Sequence, residues 1–294
     1  MTIRVTGSNW DVDVLRALSV DPPPPSGAEE RHAHAVRLLV DTIGEDLKLF
    51  LRCHGAAYAA RWRHPSDPVV ALVCWMAQYY LCLHDVLRVG PRRAVTGWPD
   101  AVREAGALGE TTRLVLTTQL GHALLLPLLV EEATGRPAFP IVHDRNQLVL
   151  EMYREQLRLG EPLLLTQLDS ADIRRWLRSD GVIVANVDTC YPGTRRMRTL
   201  PLLGGRLHVP TGLLALATRR SVEVRAMAAP DVVGRLAPQV SAPLPGDVDG
   251  ALTTYARHLE GWVSAFPDQW MAWGSLEPVP ADPPRKRPVG RIRP

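Results

Sequence analysis

From residue 112 onward the chain alternates short aliphatic and β-branched runs with stretches of helical periodicity, and this alternation restricts its fold more than any other feature. The runs are RLVLTT, AFPIVHD, PLLLTQ, GVIVANVD and VEVRAMAA, with RTLPLLGGRLHV as a further pair around two glycines. Helical stretches are expected between them from about 121 to 135, 146 to 159 and 170 to 179, and over TGLLALATRR. Runs this short suit strands, and the helix-length connections suit crossovers between parallel neighbours. Such a chain is expected to be α/β, with a mixed, largely parallel sheet flanked by helices.

A helical region precedes this unit. EERHAHAVRLLVDTIGEDLKLFLRCHGAAYAARW repeats apolar residues at helical spacing, and HPSDP interrupts the pattern. The run VVALVCWMAQYYLCL, residues 69–83, contains Gln78 and is shorter than the ~20 residues needed to cross a bilayer. It reads as a buried or interfacial helix with no transmembrane span; its tryptophan and paired tyrosines leave peripheral contact with a membrane surface as an alternative. DPPPPSG is a stiff spacer. The expected organisation is an N-terminal segment and spacer (1–27), one domain (28–278, helical to 94 and α/β from 95), and a basic, proline-rich tail (279–294). The tail has the composition of a disordered segment.

The net charge is only +3 and part of it lies in the tail, which argues against a nucleic-acid partner. Cys53, Cys74, Cys82 and Cys190 form no metal-ligand spacing. Cys74 and Cys82, inside the apolar run, read as small hydrophobes. No metal site is expected, and the N-terminus carries no basic-then-apolar leader, so a cytoplasmic location is the expectation.

TTQLGHALLLPLL, residues 117–129, takes the chain from a β run through a polar residue and a glycine into an apolar segment. Enzymes often put a general base at such a junction, yet Gln119 cannot serve as one. Several phrases in order resemble the lysophospholipid acyltransferase superfamily. The nearest branch is that of the lipid A lauroyl/myristoyl acyltransferases and the related acyltransferases of mannosylated phosphatidylinositol. GWPDAVREAGALGETTRLVLTTQLGHALL is similar to the family's helix, strand and motif junction. DGVIVANVDT and RRMRTLPLLGGRLHVPTGLLALATRRSVEVRAMAAP resemble the elements that follow, and YARHLEGWVSAFPDQWMAW is similar to its C-terminal signature. The resemblance covers about residues 95–275.

The resemblance implies a glycerolipid acyltransferase-like fold and a histidine that takes the acceptor's proton, steadied by an acid in the next turn. Here the histidine position is Gln119, the motif glycine is Gly121 and the acid position is Leu124, so both members of the dyad are replaced. What it then implies is a divergent enzyme moving an acyl group from a thioester carrier, coenzyme A or an acyl carrier protein, to an amine or hydroxyl. The acceptor would be a small molecule, as in specialised-metabolite biosynthesis, or a lipid. Two alternatives stand beside it: a catalytically silent protein binding an acylated ligand or partner, and a cyclisation or elimination reaction in the same cleft. No bound cofactor is implied.

Candidates to replace the lost dyad are Asp188 in DTCYPGTRR, as base or as turn cap; Cys190 as nucleophile; and His122 near the junction. His143 in HDRN is a further candidate beside a loop-and-cap reading. Arg195, Arg196 and Arg198 suit a phosphate or form a solvated turn. The tryptophans of PDQWMAW read as packing.

Overall fold

The computed structural model describes residues 10–23, 27–59, 67–142, 147–157, 159, 162–165, 167, 169–189, 194 and 196–278. Helices α1 (Trp10–Val20), α2 (Ala28–Ala59) and α3 (Pro68–Val89) lead the chain and pack on one another. Val14, Leu15 and Leu18 of α1 enter the core beside Leu39 and Ile43 of α2. The start of α3 is fixed by two adjacent residues. The Asp67 carboxylate accepts the N–H groups of Val69 and Val70 at 2.8 and 3.1 Å, and Pro68 occupies a first-turn position that needs no donor. By length and composition α3 is apolar enough to cross a membrane, and 50 % of its most apolar window is buried inside the chain. Trp75, Met76, Tyr79, Tyr80 and Leu83 form the buried side; Val69 and Val70 are exposed.

Short α4 (Pro91–Ala94) and α5 (Trp98–Ala105) lead to β1 (Thr112–Gly121), followed by α6 (Leu126–Thr134) and β2 (Ala138–Val142). Next come α7 (Gln147–Glu151), β3 (Leu163–Leu164), α8 (Ser170–Trp176) and β4 (Val182–Asn186). The hairpin β5 (Met197–Leu202) and β6 (Gly205–Pro210) precedes α9 (Gly212–Thr218) and β7 (Glu223–Ala229). A small hairpin of β8 (Asp231–Val232) and β9 (Arg235–Leu236), then β10 (Gln239–Val240), α10 (Val248–Ala265) and β11 (Leu276–Pro278) complete the described chain.

The main sheet has the order β10-β7-β1-β4-β2-β3. β1 lies parallel to β7 and β4, β2 lies parallel to β4 and β3, and only the edge strand β10 runs antiparallel. The expected α/β class and mixed, mostly parallel sheet are therefore observed. β5, β6 and β11 form a separate antiparallel sheet. α10 packs on β1 and β7 while α6 packs on β2 and β4. This cover explains why β1 and β4 read as nearly unbroken apolar runs. Leu114, Val115 and Leu116 are at most 1 % exposed; burying each is worth about 1.5–3 kcal/mol.

Three local expectations are corrected. The helix expected from about 121 begins at Leu126, because β1 continues through Gly121 and only a 3-10 turn (Ala123–Leu125) intervenes. Two long-range contacts hold that extension: Leu120 bridges Trp270, and the His122 N–H donates to the Ala229 carbonyl at 2.8 Å. The helix expected over 146–159 is split into α7 and a π-helical turn at Met152–Gln156. Of PLLLTQ, Leu163 and Leu164 form the short strand β3 beside β2, and the Leu165 N–H donates to the Val142 carbonyl at 2.9 Å.

Candidate functional site

β1, β4 and β2 are adjacent and parallel, so their carboxyl ends share one edge of the sheet, where open α/β sheets gather ligands. A cavity of about 130 Å³ opens there. Its floor is Thr117, Gln119 and Gly121 of β1, Val184 and Asn186 of β4, and Pro140 to Val142 of β2. Tyr79 of α3, Leu124, Tyr153 and Met271 supply walls. Gln119, Gly121 and Leu124, the three positions singled out at the junction, all line this cleft.

Strand alternation sorts the rest. Successive side chains of β1 point to opposite faces, so Thr117, Gln119 and Gly121 share the cleft side. Thr118 points the other way, onto Asp188. That carboxylate is fully buried and accepts from the Thr118 hydroxyl, from the Gln119 N–H at 2.9 Å and from the Trp270 indole N–H at 2.7 Å. Burial pushes the Asp188 carboxyl above its usual range, and these three donors oppose the rise. Asp188 does not line the cleft; it ties the end of β4 to β1 and to the C-terminal segment. The tryptophan of PDQW is thus buried, as read, and also donates a hydrogen bond.

Gly121 has a local reason to be glycine. Its φ is +66°, and a Cβ there would stand 1.9 Å from the Ala229 carbonyl oxygen. The close approach of β1 and β7 at this point needs the missing side chain.

His122 faces away from the cleft. It is 3 % exposed, held between the edge of Trp75 and the stacked ring of Tyr79, with ring centroids 5.3 and 6.0 Å away. Its Nε2 lies 3.6 Å from Asp231 Oδ2. Burial opposes a charge on the ring, yet hydrogen bonds with Asp231 and the Cys82 thiol outweigh it and raise the pKa to about 9.

Asp231 is itself fixed from several directions. Its backbone N–H and carbonyl pair with the Gln269 side chain at 2.8 Å each, and its Oδ1 accepts the Gly234 N–H at 2.6 Å. The turn after it places Val233 at φ 54° and Gly234 at φ 76°. Two-residue hairpins with both central residues at positive φ favour Asn-Gly, and a β-branched residue there is strained. Val233 is 100 % exposed, so it recovers nothing by packing. Val233→Asn is expected to stabilise the protein by about 1 kcal/mol, roughly 2 °C in Tm, read by thermal unfolding. An unchanged or lower Tm would contradict this account of the turn.

Of the remaining sequence candidates, those among the described residues stand apart from the cleft. Arg196 and Arg198 are exposed, and Arg198 Nε lies 3.8 Å from Asp249. His143, Cys190 and Arg195 fall outside the described residues. Among the described residues no group of three or more His, Cys, Asp or Glu is placed to hold a metal ion. Two residues of interest had escaped the sequence reading. Asn186, the sole amide in GVIVANVD, has a buried Oδ1 with no hydrogen-bond partner; its polarity within an apolar strand was a signal. Asp231 had none, since its role depends on a partner from a distant strand.

What the cleft offers chemically is amide, hydroxyl and phenol groups against apolar walls. Among the described lining residues there is no carboxylate, imidazole, thiol or amine. No protein-family model matches the chain, and no curated protein matches it.

Proposed function

We propose that this protein transfers an acyl group from a thioester donor, coenzyme A or an acyl carrier protein, to an amine acceptor in the cleft at the end of β1, β4 and β2. The observation that carries the reading is the shared cavity of Gln119, Gly121 and Leu124, joined by the Asn186 side chain, whose buried Oδ1 has no hydrogen-bond partner. In the resemblance these positions belong to the acyl-transfer motif, with its proton-abstracting pair replaced. An amine acceptor suits that replacement because it brings its own lone pair and needs position more than a base. The amine nitrogen attacks the thioester carbonyl, the C–N bond forms, the C–S bond breaks, and the carrier thiol leaves with the proton the nitrogen sheds. The Gln119 side-chain N–H donates to the carbonyl oxygen as charge develops there, and Asn186 Oδ1 accepts an N–H of the incoming amine. The acyl chain lies against Leu124 and Met271.

The test is mass-spectrometric detection of amide from short acyl thioesters and a panel of primary amines. Gln119→Ala and Asn186→Ala are each expected to lower kcat/KM by about 10²-fold while the fold is retained. Wild-type turnover at the uncatalysed rate with every donor and acceptor would sink the enzymatic reading. The lack of a basic side chain on the described walls favours one second reading, a protein that binds an acylated ligand without transferring it. Ligand-induced stabilisation without product would select it.

A further inference from the structure

A second cavity, about 210 Å³, lies beside the first. Tyr79, a wall of the cleft, stacks on the His122 ring, and His122 lines this second space together with Cys82 and Asp231. The three side chains come from α3, the end of β1 and β8. Cys82 and the imidazole stand on the wall of this one cavity, and Asp231 Oδ2 is 3.6 Å from Nε2. Gln78, one turn before Cys82 on α3, donates to the same carboxylate oxygen at 3.3 Å.

The imidazole is held by more than these polar contacts. Trp75 and Tyr79 clamp its ring, and its backbone N–H is bonded across to β7. The strained turn at Val233–Gly234 and the Gln269 clamp fix Asp231 opposite it. A thiol, a fixed imidazole and a fixed carboxylate around an open cavity are the parts of an activated nucleophile. The second charged pair on the wall, Arg31 and Asp85 at 2.5 Å, leaves the cavity without a net formal charge. Its volume and its mixed lining, with Leu81, Val95 and Leu236 beside the polar groups, suit a small uncharged group.

We propose that Cys82, His122 and Asp231 form a thiol site that takes a short acyl group from a small thioester as a covalent adduct on Cys82. The protonated imidazole stands beside Sγ and steadies the negative charge as the thiol proton goes to solvent and Sγ closes on the carbonyl carbon. The carbonyl carbon's bond to the donor sulfur then breaks, and the departing thiolate takes a proton from His122, which regains one from solvent. The products are an S-acyl Cys82 and a free donor thiol, with no oxidant or reductant required. Asp231 is a positioning residue: it holds the ring and steadies its charge. This site does not depend on acyl transfer in the first cleft.

The experiment uses the full chain with the butyryl thioester of N-acetylcysteamine and no acceptor, followed by peptide mass spectrometry. Cys74, half-buried on the same helix, is the internal comparator. A butyryl adduct is expected on Cys82 and not on Cys74, and it is absent from Cys82→Ala. Its formation slows by roughly 10²-fold in His122→Gln. Gln119→Ala leaves the adduct rate unchanged, which separates this site from the first cleft. Iodoacetamide is a second probe: Cys82 alkylates faster than Cys74 in the parent, and His122→Gln abolishes the difference. Should that variant fail to fold, Asp231→Asn supplies the same comparison. No adduct on Cys82, equal labelling of the two cysteines, or a rate indifferent to His122 and Asp231 overturns the proposal.

Discussion

Asp188→Ala is expected to lower the unfolding free energy by about 4 kcal/mol, measured by urea unfolding at neutral pH. The substitution strands three donors in a fully buried place: the Thr118 hydroxyl, the Gln119 backbone N–H and the Trp270 indole N–H. Each unsatisfied buried donor costs about 1–3 kcal/mol, and the lost carboxylate volume leaves a small void as well. Part of that sum is recovered because the parent itself bears the cost of burying a carboxyl. The comparison variant is Asp188→Asn, which keeps the shape and one acceptor oxygen but turns an N–H₂ toward a donor; its loss should be intermediate. The parent should also lose stability with rising pH at this residue. Its folded pKa lies above the ordinary value of 3.8, so the favourable contribution is complete below 3.8 and disappears as pH climbs through the raised value. Asp188→Asn removes that dependence. If Asp188→Ala unfolds within about 1 kcal/mol of the parent, the carboxylate is not the tie described here.

The second large effect concerns His122 and has the same sign at higher pH. Its pKa rises from 6.5 to about 9 on folding. The stabilisation is fully present below pH 6.5 and is lost as pH rises through about 9. The shift corresponds to about 3 kcal/mol. Urea unfolding of the parent should therefore show a midpoint that falls steadily between these limits. His122→Gln should be flat over the same range, and Asp231→Asn should flatten most of it, since Asp231 supplies the largest hydrogen-bonding support for the charge. A parent curve that does not change across the window would mean that the ring is neutral in the folded state. The same titration bears on the thiol site, because the imidazole that loses its proton is the one facing Cys82.

Much of the sheet was readable from the chain because each strand carries its own local signal. RLVLTT, GVIVANVD and VEVRAMAA became the central strands β1, β4 and β7, whose coverage on both faces demands unbroken apolar runs. PLLLTQ and the stretch over 146–159 were read less well. Their periodicity is short, and the observed pieces are held by packing rather than by propensity. At the site, Gln119, Gly121 and Leu124 line one cavity, and the strand followed by a glycine that brings Gln119 and Gly121 there is a local pattern. The direction of His122 was not legible. The sequence suggested a helix starting near Gly121, and a helix would have put His122 beside Gln119; continuation of the strand sends it to the opposite face.

What the sequence by itself determined is the alternation of strand and helix and the polar-then-glycine junction at Gln119–Gly121 that ends β1. Each depends on residues within a few positions of one another, so neighbouring covalent geometry and hydrophobic period are enough to write it. Only the tertiary structure decided which polar groups meet. Asp188 reaches Trp270 across 82 residues of chain, and Asp231 reaches Gln269 and His122 from a hairpin with no motif of its own. Those pairings arise because buried polar groups must find partners wherever the packed core brings them, and no local pattern encodes that choice.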